Sequence, residues 1–127
     1  MNMYNNEVEK VLELVNNSEE DLIKLIGVEK WNEKNYDGTF KPDFIGTGKF
    51  VWDSIKISIF NLICVADKGI PNDYVQDLIG GDRRDIIVWL LTALVTQYNI
   101  DLAIAVPVVS LTLKKGINNF CKLKIDN

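Results

Sequence analysis

Histidine is absent from the 127-residue sequence, and arginine occurs only at Arg83 and Arg84. Without histidine, the chain lacks the usual base for a nucleophilic serine or cysteine and the usual ligand of hydrolytic zinc sites. Cysteine is limited to Cys64 and Cys121, so no CxxC pair or Cys/His cluster exists. We therefore expect no metal, no cofactor and no enzymatic activity.

The two cysteines lie in apolar surroundings, NLICVAD and NNFCKLK. This setting favours buried free thiols in a reducing compartment over a disulfide. The first residues, MNMYNNEVEK, contain no apolar segment behind a basic region, which is unlike a secretory signal. Both observations predict a cytoplasmic protein.

Positive charge is also scarce, because 14 basic residues oppose 18 acidic ones for a net charge of -4. A protein that binds phosphate backbones usually carries a basic stripe, so nucleic acid is not expected as the main partner. The lysines of residues 114–127 fit helix ends, where the dipole favours positive charge. The alternative is a basic tail that contacts a membrane surface or an acidic partner.

The chain contains 47% hydrophobic and 25% charged residues and shows no repeat or linker. These features predict one globular domain over residues 1–127. Apolar residues at helical spacing predict an all-α, compact bundle of five to six helices. We place helices at residues 5–16, from Ser18 to a stop at Gly27, and at 49–67, 73–79, 82–98 and 101–122. The expected N-caps are Ser18, Asp82 and Asp101, and Asn99 is expected to end the 82–98 helix. The 49–67 helix is expected in the middle of the bundle, and residues 101–107 could instead be extended.

Residues 28–48 lack a helical period and are predicted to form a long loop or small β-hairpin between helices 2 and 3. Asp37-Gly38 is typical of a type I′ turn. The loop is rich in aromatic residues, which are common in interface hot spots, and it supplies the candidate partner-binding residues Trp31, Tyr36, Phe40 and Phe44. In the alternative interpretation, the loop folds back and the rings belong to the core.

Three predicted helices carry apolar residues on nearly every face: those at 50–66, 86–98 and 102–113. A small bundle can surround only one or two of them, so we expect an apolar surface that a protein partner or a second copy covers. The apolar stretches within residues 86–113 are each shorter than the ~20 residues that cross a bilayer. A buried helical hairpin is therefore favoured over a membrane-inserted one.

Two further motifs concern binding of charged groups. Gly46-Thr47-Gly48-Lys49 resembles part of a P-loop, but Asp43 and Phe50 occupy positions that need glycine and a hydroxyl. Arg83 and Arg84 begin a predicted helix, where Asp82 and Asp85 could neutralise them. Alternatively, they could bind a carboxylate or phosphate of a partner.

The leading hypothesis is a non-enzymatic cytoplasmic protein-interaction module, such as an adaptor, an accessory subunit or an inhibitor of another protein. Two alternatives stay open. One is a membrane-associated protein that uses residues 86–113, and the other is a helical bundle that binds a small ligand.

Overall fold

A computed structural model describes residues 4–33 and 43–123, which form seven helices and two short strands. The helices are α1 (Asn5–Leu14), α2 (Glu19–Glu33), α3 (Phe44–Ile63), α4 (Asp73–Ile79), α5 (Arg83–Gln97), α6 (Leu102–Lys115) and α7 (Ile117–Cys121). The strands β1 (Cys64–Val65) and β2 (Ile70–Pro71) pair antiparallel. The mainly helical fold is confirmed, but the number of helices and the position of the loop differ from the prediction.

Side-chain caps set where most of the helices begin. In each case a side-chain oxygen accepts a hydrogen bond from a first-turn backbone amide, which otherwise lacks an intrahelical partner. The donor–acceptor distances are 3.1 Å at one cap and 2.9 Å at the others; the capping residues are Ser18, Asp43, Asn72, Asp82 and Asp101. The predicted caps at Ser18, Asp82 and Asp101 are confirmed.

The predicted end of helix 2 at Gly27 and the predicted start of helix 3 at Lys49 are both wrong. Helix α2 continues through Gly27 to Glu33, and α3 already begins at Phe44. The segment between them is therefore much shorter than the predicted 28–48 loop. The predicted hairpin turn at Asp37-Gly38 lies outside the described residues.

The two glycines allow α2 and α3 to approach each other backbone to backbone. A Cβ atom on Gly27 would lie 1.9 Å from the carbonyl oxygen of Phe44, and one on Gly48 would lie 1.8 Å from that of Ile23. The pairing of 27 with 44 and of 23 with 48 shows that the helices run antiparallel. Glycine here serves close packing and does not end a helix.

We expect Gly27→Ala and Gly48→Ala each to lower the free energy of unfolding by about 1–3 kcal/mol, because the added methyl group forces the two backbones apart. Urea denaturation measures this change. Gly80→Ala is the matched control: its Cβ would meet its nearest backbone oxygen at 3.6 Å. The control should be neutral or stabilising by about 0.4–1 kcal/mol. Equal effects at all three positions would contradict the close-packing role.

Helix α6, not α3, is the most deeply buried helix of the structure. Every residue from Ile104 to Thr112 is buried, and α6 packs against α1, α2, α5 and α7. The Ser110 and Thr112 hydroxyls donate to the carbonyls of Val106 and Val108, at 2.8 and 2.9 Å, so no buried polar atom is left unpaired there. Residues 102–107 are helical despite Pro107, which resolves the doubt about an extended segment.

The predicted final helix is divided in two at Gly116. This residue has a φ of 86°, a left-handed conformation that glycine adopts without strain. Helix α6 ends before it, and the short helix α7 begins after it. The division accounts for one of the additional helices.

The prediction of free thiols is wrong, because Cys64 and Cys121 form a disulfide with a Cα–Cα distance of 5.5 Å. The two residues are 57 positions apart, and only the folding of α7 against the end of α3 brings them together. Disulfides are rare in reducing compartments. The cross-link therefore removes one of the two grounds for expecting a cytoplasmic protein, and the location stays a prediction.

The ring of Phe120 fixes α7 to α3. It is fully buried, and its centroid lies 6.1 Å from that of Trp52 and 6.3 Å from that of Phe60. Aromatic pairs at these distances contribute beyond their buried area. The five-residue helix is thus held by the disulfide and by the buried side chains of Phe120 and Ile117.

Phe120→Ala should lower the free energy of unfolding by about 3–5 kcal/mol, since it leaves a cavity beside Trp52 and Phe60. Phe50→Ala provides the comparison, because Phe50 is 74% exposed on α3. We expect that variant to stay within about 0.5 kcal/mol of the parent in the same denaturation experiment. A loss at Phe120 no larger than that at Phe50 would disprove the anchoring role.

Candidate functional site

Two adjoining cavities form a surface groove between β2, α4, the start of α5, the end of α6 and α7. The first has a volume of about 310 Å³ and is lined by Ile79, Gly81, Arg83, Ile86, Leu113, Ile117 and Asn118. The second, of about 420 Å³, is lined by Ile70, Pro71, Gln76, Ile79, Gly80 and Asn118. Because Ile79 and Asn118 line both cavities, we treat them as one site and call it the groove.

The outer wall of the groove is built by the β1–β2 ribbon and α4. The side chain of Asn72 donates to the carbonyl of Leu62 at 3.1 Å and also caps α4. Gln76 donates to the carbonyl of Pro71 at 2.7 Å, which ties α4 to β2. Contact between the rings of Tyr74 and Trp89, with centroids 5.4 Å apart, holds α4 on α5.

The groove exposes apolar surface that the fold itself does not cover. Ile70 is 42% exposed and Ile79 is 41% exposed, whereas Ile86 and Ile117 beneath them are buried. Exposed apolar patches rimmed by polar groups are typical of binding surfaces. These two side chains belong to β2 and α4 and not to the three helices on which the sequence predicted a surplus apolar surface, so that prediction stays open.

The two arginines have different environments. Arg84 donates a hydrogen bond to the carboxylate of Glu9 and so joins α5 to α1. That hydrogen bond, together with the charge of Glu9, raises the pKa of Arg84 above its ordinary value. Arg83 lines the groove and forms no ion pair with any residue that the structure describes. Of the two, Arg83 has its charge available to a partner.

Replacing Arg84 with glutamine should lower the melting temperature slightly at low ionic strength, because the exposed pair with Glu9 is lost. The difference should shrink as salt screens the charges. Arg83→Gln removes the same charge from the same helical turn, so it controls for the helix dipole. A salt-dependent loss of equal size in both variants would contradict the assignment of Arg84 to Glu9. Differential scanning calorimetry at several salt concentrations measures both.

The aromatic candidates lie elsewhere, at the corner between α2 and α3. Trp31 and Phe44 are half-buried, and their rings pack edge to face with centroids 6.4 Å apart. Tyr36 and Phe40 lie outside the described residues. In the described part of the chain, this corner and the groove share no lining residue, so the candidates do not converge on one site. Partner binding by the aromatic residues stays a prediction.

A smaller cleft, of about 230 Å³, separates α1, α2 and the start of α6. Its lining carries both signs of charge, from Glu7, Lys10 and Glu29, beside apolar residues that include Pro107. Within residues 4–33 and 43–123, no three His, Cys, Asp or Glu side chains lie close enough together to hold a metal ion. In the same ranges, no helix is both long enough and apolar enough to cross a bilayer.

Sequence reasoning missed most of the groove. Ile70 lies in a connector, and Ile79 ends a short helix, so neither belongs to a long periodic pattern. The available signal was their position beside turn residues: Ile70 stands between Gly69 and Pro71, and Ile79 precedes Gly80. An isoleucine beside a turn residue is not assigned to the core by any periodic apolar pattern, and this is the sign that it could be exposed.

No protein-family model matches the sequence, and neither a curated protein nor a solved structure is significantly similar to it. Function must therefore be inferred from the surface of the molecule.

Proposed function

We propose that this protein is a non-enzymatic interaction module that binds an acidic, amphipathic segment of another polypeptide in the groove. The observation that carries the proposal is the position of Arg83. It is the one charged residue among those that line the groove in the described structure, and it lies beside exposed apolar side chains.

This combination favours a partner with two kinds of side chain. Large apolar residues would cover Ile70 and Ile79, and each Å² of apolar surface removed from water contributes roughly 25 cal/mol. A carboxylate would pair with the guanidinium of Arg83, whose N–H groups can donate two parallel hydrogen bonds to its oxygens. An arginine within an apolar surface thus selects acidic over neutral segments.

The elements around the groove carry exposed charges of both signs. Lys114 and Lys122 are exposed at the ends of α6 and α7, and Asp73, Asp77 and Asp85 are exposed on α4 and α5, so the preference for an acidic occupant rests on Arg83. Asp82, beside Arg83, is engaged as the cap of α5, where its carboxylate accepts from the amide of Arg84. The net charge of -4 acts weakly on a docked segment, because charges beyond about 8 Å are screened at physiological salt.

A phage-displayed library of random peptides tests this proposal with a defined probe. Panning on the immobilised, oxidised chain should enrich peptides that combine Asp or Glu with large apolar residues. For a synthetic enriched peptide, calorimetry should show that Ile79→Asp and Arg83→Gln each weaken affinity by about tenfold or more, as expected for interface hot spots.

Two variants serve as matched controls for that measurement. Phe50→Asp places a charge on an exposed apolar residue outside the groove, and Arg84→Gln removes the neighbouring arginine that pairs with Glu9. Both should bind with nearly the affinity of the parent. Failure to enrich any peptide, or equal losses in control and groove variants, would refute the groove as the binding site.

Other occupants give distinct results. Self-association by light scattering that Ile79→Asp abolishes would show that a second copy occupies the groove. Flotation with anionic vesicles would favour the membrane-associated alternative, and a small molecule retained in a native mass spectrum would favour the ligand-binding bundle. Each result, in the absence of an enriched peptide, counts against the proposal.

A further inference from the structure

The disulfide joins the two opposite walls of the groove. Cys64 begins β1, which pairs with Ile70 and Pro71 of the outer wall. Cys121 ends α7, whose first turn supplies Ile117 and Asn118 to the inner wall. We infer that this disulfide is a redox control of the groove: its reduction by a dithiol releases α7 and removes the inner wall of the binding surface. The inference rests on the proposed function.

Helix α7 depends on this cross-link because it has little stability of its own. It spans five residues and begins at Gly116 without a side-chain cap. Isolated helices much shorter than 12–15 residues are unstable in water. Apart from the disulfide, its attachment consists of the buried side chains of Ile117 and Phe120, a hydrogen bond from the Asn119 side chain to the carbonyl of Lys115 at 3.4 Å, and contacts with α6 and β2. Loss of the covalent bond therefore shifts α7 toward its released state.

The reduction is an ordinary thiol–disulfide exchange. A thiolate of the dithiol attacks Sγ of Cys64, the more exposed cysteine at 8% against 1% for Cys121. The Sγ–Sγ bond breaks, and Cys121 leaves as a thiolate that takes up a proton. The second thiol of the reductant then displaces Cys64, which is protonated in turn. Two electrons and two protons pass to the protein, and the reductant becomes a disulfide.

Release of α7 changes the groove directly. Ile117 and Asn118 leave the inner wall, and Asn118 lines both cavities. The rings of Trp52 and Phe60 lose their contact with Phe120. The outer wall keeps the hydrogen bonds of Asn72 and Gln76, which do not involve α7. The reduced protein therefore retains Ile79 but lacks the opposing wall.

Amide hydrogen exchange by NMR tests the release without any partner. The reporter amides are those of Phe120 and Lys122, which donate to the carbonyls of Gly116 and Asn119. Dithiothreitol should lower their protection by about thirtyfold or more, the equivalent of losing a typical disulfide. Amides of α5 and α6 should lose much less. The double variant Cys64→Ala, Cys121→Ala should show the released state without reductant and should not respond to it.

The affinity of the enriched peptide provides the second measurement. Reduction should weaken the peptide affinity of the parent by about tenfold or more. The double variant should bind the peptide weakly from the start, and reduction should leave its affinity unchanged. Unchanged protection of α7 after verified reduction would overturn the inference. Release of α7 with unchanged peptide affinity would also overturn it, while leaving the proposed function intact. Failure of the oxidised protein to bind any peptide instead contradicts the proposed function, and the exchange experiment still decides whether the disulfide holds α7.

Discussion

The burial of α6 is the constraint on which the rest of the structure depends. A helix that is buried on all sides from Ile104 to Thr112 needs neighbouring helices around its whole circumference. A chain of 127 residues can form only a few helices for this purpose. Helices α1, α2, α5 and α7 supply this cover. The hydroxyl groups of its buried polar residues, Ser110 and Thr112, donate hydrogen bonds to backbone carbonyls of the same helix. Part of the remaining apolar surface, contributed by Ile70 and Ile79, lies at the periphery in the groove.

Enclosing one helix with short elements requires close packing and cross-linking elsewhere. Gly27 and Gly48 bring α2 and α3 together so tightly that no side chain fits between their backbones. Lys115 connects the end of α6 to α2 through Glu19, at 2.6 Å, and lies 5.9 Å from the centre of the Trp52 ring. The disulfide fastens α7, the shortest helix. The groove lies among the shortest elements of the described fold, β2, α4 and α7.

Much of the fold was accessible from local patterns, because caps and helical periodicity act over a few residues. Asp82 and Asp101 cap their helices as predicted, Asn99 ends α5 with a positive φ of 53°, and residues 73–79 are helical. The errors arose at glycines. Gly27 was interpreted as a stop, yet it serves a contact with Phe44, and Gly116, placed inside a helix, divides it. The sequence alone does not distinguish a glycine that ends a helix from one that allows the backbone of a neighbouring helix to approach.

The sequence by itself determined the helical class, most helix starts and the lack of histidine chemistry, since these depend on residue type and on spacing within one or two turns. Only the tertiary structure decided that Cys64 meets Cys121, that Arg84 pairs with Glu9 while Arg83 stays in the groove, and that Ile70, Ile79 and Ile117 share one surface. The cysteines are 57 positions apart and Glu9 and Arg84 are 75 apart, and Ile117 is likewise distant in sequence from Ile70 and Ile79. Their proximity follows from how the helices surround α6, which no local pattern encodes.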